Sequence, residues 1–206
     1  MSDEIVFYTN PMSRGRIVRW MLEEVGQPYR TELMDFASMK SPDYLAVNPM
    51  GKVPAITHGD TVVTECAAIC AYLADAFPEA RLAPALGDPA RGIYYRWLFF
   101  AAGPIEAATT NKSLGFVVPA DREGMAGYGS YEATIDALEQ AVSRSDYIAS
   151  ERFTAADVYV GSQIGFGLRF GSLEKRPAFE SYWARVSSRP AAVRAAEIDD
   201  ALIPKT

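Results

Sequence analysis

The apolar positions change period several times along the first eighty residues. Ile5 to Tyr8 is a β-branched and aromatic run, broken by Thr9-Asn10-Pro11-Met12-Ser13, and it predicts a short buried strand. From Arg14 to about Val25, Ile17, Trp20, Met21 and Val25 fall on one helical face, with Ser13 placed to cap the start and Gly26 to end it. Tyr29 to Leu33 predicts a second strand, and Asp35 to Val47 a short, irregular helix. Asn48-Pro49 and Gly51 mark a turn. Val53 to Thr57, with a proline inside it, and Thr61 to Thr64 then read as strands joined by a hairpin at Gly59-Asp60. Ala67, Ala68, Ile69, Ala71, Tyr72 and Leu73 give a helix with little polar surface.

That order, β-α-β-α-β-β-α, predicts an α/β, thioredoxin-like domain with a mixed four-stranded sheet over residues 1–80. Phe77-Pro78-Glu79 ends it, and residues 81–88, rich in breakers, read as a linker. No convincing strand pair follows, so 89–206 is expected to be all-α. A helix from about Pro89 to Gly103 carries Tyr94, Tyr95, Trp97, Phe99 and Phe100, more aromatic surface than one buried stripe needs. Some of these rings are expected to face a cleft or a second subunit. Phe116 follows, then a glycine-bearing loop from Pro119 to Ser130 and an amphipathic helix from Tyr131 to Val142. Thr154 and Asp157 form a capping-box variant, with Phe153 placed for a hydrophobic staple. The helix they open contains Gly161, Gly165 and Gly167, which predict close packing. Pro177 to Val186 reads as another helix, and the tail from Asp199 is expected to fray.

Charge and composition narrow the function classes. A net charge of −6 over 206 residues argues against a nucleic-acid partner. The longest apolar run, Trp97 to Ile105, is too short to cross a bilayer and contains Gly103-Pro104, so no membrane association is expected. The acidic start MSDEIVF lacks the basic region of a signal peptide, and a cytoplasmic location is expected. The two cysteines, Cys66 and Cys70, lie four apart on one predicted helix and read as buried thiols. With His58 the single histidine, no metal site is expected.

Two stretches carry ligand chemistry. Pro54 has no N–H for a ladder and belongs at a strand edge, where the Val53 backbone can pair with an extended peptide. Glu65-Cys66 opens a helix. The helix start suits a carboxylate and the Glu65 carboxylate an ammonium, so together they can clasp the two ends of an amino acid. The second stretch is the turn from Tyr8 to Arg16. A hydroxyl donor at a helix start lowers a thiol pKa by donating to the thiolate, aided by the helix end. Ser13 has that chemistry and position, and Tyr8 and Asn10 are the other candidates. A plain hairpin and a plain helix cap are the structural alternatives at these places.

Val53-Pro54-Ala55, Thr64-Glu65-Cys66, Ala68-Ile69 and Tyr72-Leu73 closely resemble the glutathione-binding half of cytosolic glutathione S-transferases. Pro11-Met12-Ser13-Arg14, Trp20 and Leu22-Glu23-Glu24 resemble bacterial and fungal members with an SR-x-x-R-x-x-W-x-LEE pattern. The resemblance extends over nearly the whole chain. It implies a cis Val53–Pro54 bond, with Val53 pairing to the cysteinyl backbone of glutathione. Glu65 and Cys66 hold the γ-glutamyl end, Cys66 standing where the family usually has Ser or Thr. Lys52 and Lys40 neutralise the glycyl carboxylate, and Ser13 or Tyr8 stabilises the thiolate. An apolar electrophile rests against the helical domain, with Tyr94, Trp97, Phe100, Phe116 and Arg169 as candidates. The implied co-substrate is glutathione, the implied assembly a homodimer, and the implied role detoxification, with no metal. A glutathione-dependent disulfide or peroxide reductase and a non-catalytic binding protein are the alternative functions.

Overall fold

Ile5–Thr9 forms β1, the strand from which the sheet is built. Ile5, Val6 and Phe7 are all buried, as a central strand covered on both faces requires. β2 (Tyr29–Leu33) runs parallel to it with Ile5 opposite Tyr29 and Thr9 opposite Leu33. β3 (Ala55–His58) lies antiparallel on the other side, Tyr8 opposite Ala55, and β4 (Thr61–Thr64) pairs antiparallel with β3. The sheet order is therefore β2-β1-β3-β4, a mixed four-stranded sheet of the thioredoxin-like kind.

The computed structural model describes residues 4–203 and separates into two units. The first comprises the residues up to Leu82 together with those from Arg189; the second is Ala83–Ser188. In the first unit α1 (Gly15–Val25) buries Ile17, Val18, Met21, Leu22 and Val25. It ends at Gly26, whose φ of 73° and N–H to the Leu22 carbonyl make a left-handed cap. A 3₁₀ turn at Ser38–Lys40 and the short helix α2 (Pro42–Val47) fill the irregular segment, with Ser41 capping α2. Val53 and Pro54, expected inside a strand, precede β3 and are joined by a cis peptide bond. α3 (Cys66–Ala76) closes this part of the unit.

The second unit contains only helices and loops among its described residues. α4 (Ala90–Phe100) does not stop near Gly103 as expected. A five-residue π turn, Ala101–Ile105, carries the chain past Pro104 into α5 (Glu106–Ser113). The wider turn accommodates the missing proline N–H without ending the helix. α6 (Tyr131–Val142) and α7 (Ala155–Phe170) follow. At the start of α7, Asp157 is fully buried and accepts from the N–H groups of Ile148 and Thr154, both at 2.8 Å. The Thr154 and Tyr182 hydroxyls donate to it as well. Burial pushes the Asp157 carboxyl up, while these four donors pull it down. On α7 a Cβ at Gly165 would lie 2.8 Å from the Trp183 ring, which borders α7 from α8 (Pro177–Ser187).

Of the tail expected to fray from Asp199, residues 199–201 close a helix and 204–206 lie outside the described residues. α9 (Pro190–Ala201) packs on α1, and Asp199 is fully buried against Arg19. α9 belongs to the first unit. Ile17 occupies the place of the second arginine in the SR-x-x-R pattern and is a core residue; Arg16 and Arg19 flank it and face α9.

Candidate active site

The turn between β1 and α1 is held by its own side chains. Asn10 Nδ2 donates to the Met34 carbonyl at 2.9 Å, and Asn10 Oδ1 accepts from the Met12 N–H at 2.9 Å. Asn10 is therefore a brace for the turn. Ser13 Oγ accepts from the Gly15 N–H at 2.9 Å and donates to the Asn10 carbonyl at 2.7 Å. The helix starts at Gly15, one residue later than expected, and the Ser13 hydroxyl caps that first N–H. A Cβ at Gly15 would sit 1.9 Å from Thr9 Oγ1, so only glycine lets the turn close this tightly.

Tyr8 is half-buried, its ring 5.6 Å from that of Tyr44. Tyr44 in turn donates to the Lys52 carbonyl at 2.6 Å, which also accepts from Asn48 Nδ2 at 2.8 Å. Burial pushes the Tyr44 phenol up to about 12, so it stays a donor at neutral pH. These two residues fix the backbone just before Val53. Residue chemistry alone did not single them out; the signal was the Asn48-Pro49 turn, which places Asn48 beside the strand. Lys40 Nζ reaches the Met50 carbonyl at 3.3 Å, which brings Lys40 to the segment carrying Lys52. Gly51 between them has φ 59°.

Glu65 is the other backbone singularity. It is exposed and adopts φ 66° and ψ 122°, a conformation costing a non-glycine residue about 1–3 kcal/mol. It precedes α3 without a side-chain cap bond, which leaves the helix start open to a ligand. Cys66 is buried, and its Sγ lies 3.7 Å from the Arg14 carbonyl oxygen. The starts of α1 and α3 are therefore in contact, with Ser13 beside one and Glu65 beside the other. Cys70, one turn further on, is fully buried, and burial pushes its thiol well up. No disulfide joins the two cysteines.

The sequence model of the glutathione S-transferase N-terminal domain matches residues 12–76. Glutathione S-transferase GstA of Escherichia coli O157:H7 is 28% identical over 193 residues, spanning 88% of this chain and 89% of that protein. A glutathione transferase structure from Methylococcus capsulatus strain Bath superposes with a TM-score of 0.79 at 28% identity, over 97% of this chain and 100% of that one. The chain is similar to glutathione S-transferases along most of its length. A further transferase structure, from a sphingomonad and complexed with glutathione, superposes with a TM-score of 0.77 at 27% identity, over 95% and 98% of the two chains.

The residues expected at the site fall in both units. Tyr8, Asn10, Ser13, Lys40, Lys52, Val53, Pro54, Glu65 and Cys66 all lie in the first unit. The expected electrophile residues lie in the second. There Tyr94 is 0% and Trp97 4% exposed, so both lie in the core of that unit. Their spacing on α4 points them inward, and Phe99, at 71%, is the most exposed ring on that helix. Phe100 is half-buried with its ring edge-on to Trp97, Phe116 is exposed, and Arg169 is exposed beside Phe170. Phe116 lines a cavity of about 280 Å³ with Ala108, Lys112, Tyr128 and Tyr131. No cluster of three metal-ligating side chains occurs among the described residues, and none of their helices is long and apolar enough to cross a membrane.

Proposed function

We propose that the chain is a glutathione transferase in which Ser13 stabilises the glutathione thiolate. The Glu65 carboxylate takes the γ-glutamyl ammonium, and the Cys66 N–H at the start of α3 takes the adjoining carboxylate. The cysteinyl backbone pairs with Val53, beside Pro54, and Lys52 and Lys40 face the glycyl carboxylate. The observation that carries this reading is the strained Glu65 at the open start of α3, with that start in contact with the start of α1.

Ser13 suits the thiolate role because its donor can be released at small cost. The Asn10 carbonyl accepts from the Ser13 N–H, at 3.0 Å, as well as from the hydroxyl. When the hydroxyl turns to sulfur, that carbonyl keeps a partner, while the Gly15 N–H still polarises Oγ. The thiolate then attacks an electrophile, forming a thioether as the leaving group departs with the bond electrons. Catalysis is by positioning and charge stabilisation. Phe100, Phe116 and Arg169 are assigned to the electrophile, an apolar molecule. The reading includes a homodimer, supported by the exposed Ile93 and Phe99 on α4, and a detoxifying role. It also includes a cytoplasmic setting.

The test is an ultraviolet titration of bound glutathione in the parent, Ser13→Ala, Tyr8→Phe and Glu65→Ala. A thiolate signal near neutral pH that disappears in Ser13→Ala and persists in Tyr8→Phe is expected. Glu65→Ala is expected to lose about 2 kcal/mol of glutathione affinity, the cost of an unpaired charged contact. Unchanged affinity in that variant removes the γ-glutamyl assignment, and loss of the signal in Tyr8→Phe alone transfers the role to Tyr8.

A further inference from the structure

Four charged residues of α1 are left over by the glutathione site, and all four face α9. Arg16 pairs with Asp200, and Arg19 Nε lies 3.1 Å from Asp199 Oδ1. Arg194 Nε lies 3.3 Å from Glu23 Oε2. Arg189 donates twice to the Glu24 carboxylate, at 2.7 Å each. Arg16 differs from the rest in what its other side holds. Its Nε donates to the Pro11 carbonyl at 2.7 Å, within the turn that carries Ser13. The turn therefore has two anchors. Asn10 ties it to the residue following β2, and Arg16 ties it to α9.

We propose that Arg16 is a positioning residue for Ser13, held on station by Asp200, so that the C-terminal helix sets the acidity of the bound thiol. The inference rests on the transferase reading above. A guanidinium can do this because its planar fork sends Nε to one acceptor and Nη2 to another at a fixed angle. An ammonium is a point charge on a flexible stem and fixes no such angle. When the fork is lost, the Pro11 carbonyl and the turn behind it shift. The Ser13 hydroxyl then points at sulfur less of the time, and the thiol pKa rises.

Charge alone predicts something different, which makes the inference testable. Arg16→Lys keeps the positive charge, so a charge role leaves the thiol pKa in place. Asp200→Asn removes a negative charge beside Arg16, so a charge role lowers it. Positioning raises it in both. The experiment is the ultraviolet thiolate titration of bound glutathione in the parent, Arg16→Lys, Asp200→Asn and Arg194→Gln. Asp200 is 63% exposed, so its substitution leaves the fold intact. A rise of about half a unit is expected in the first two variants, roughly a three-fold loss of thiolate below the pKa. Arg194→Gln, which loosens α9 away from the turn, is expected to titrate like the parent. A fall in Asp200→Asn, a parent-like titration in both turn variants, or an equal rise in Arg194→Gln overturns the inference while leaving the transferase reading standing. A parent with no thiolate signal overturns both.

Discussion

Tyr29 has its hydroxyl between a cation and an anion. It accepts from Arg19 Nη1 at 3.2 Å and donates to Glu23 Oε1 at 2.6 Å. Burial pushes its pKa from the ordinary 10 to about 12. The unfolded chain therefore loses this proton at lower pH than the folded one. The stability associated with Tyr29 is present below pH 10 and lost as the pH rises to about 12. Denaturant unfolding of Tyr29→Phe between pH 9 and 12 is expected to show a flatter fall than the parent; equal slopes would contradict the assignment. At this scale the sequence was informative where a residue type has few uses. Glu65 before an apolar helix, Pro54 at a strand edge and Ser13 at a helix start each pointed to a site before any geometry was known. It was uninformative where one ring type serves two ends. Tyr94 and Phe99 look alike in sequence, and a shift of about 100° per residue around the helix places one in the core and the other on the surface.

Elements with local punctuation were legible to within a residue or two. Gly26 ends α1, and Thr154 with Asp157 opens α7. The last of these is more than a cap, since Asp157 also gathers Ile148 and Tyr182, which lie outside α7. Asp157→Ala leaves two buried backbone N–H groups and two hydroxyls without their acceptor. At about 1–3 kcal/mol for each orphaned donor, the second unit is expected to lose at least about 3 kcal/mol. Urea unfolding checks this, and a loss under about 1 kcal/mol would show that solvent replaces the carboxylate. The π turn was illegible for the opposite reason. Gly103-Pro104 is a helix-breaking pair by local rules, and tertiary packing of Ala101 and Ile105, both buried, carries the helix through it.

At the scale of the whole molecule, the thioredoxin-like unit was readable from element order, and the place of α9 was not. The face of α1 that receives α9 carries Arg16, Arg19, Glu23 and Glu24, which in sequence is an ordinary solvated helix face. Their partners lie some 165 to 184 residues away, beyond the reach of any local pattern. A chain ended after Ser188 strips this cover from α1. It is expected to bind a hydrophobic dye, melt at lower temperature and lose most glutathione affinity; a truncated chain with parental binding would show that α9 is dispensable.

The interrupted first unit also dictates a timetable. On the ribosome, the strands and α1 emerge first, yet the surface of α1 stays uncovered until every residue of 83–188 has been made. The second unit, continuous in sequence, can finish folding while the first still waits with Arg19 lacking Asp199. Nascent chains of this protein should therefore hold a long-lived half-finished state, and the glutathione site is among the last things that synthesis completes.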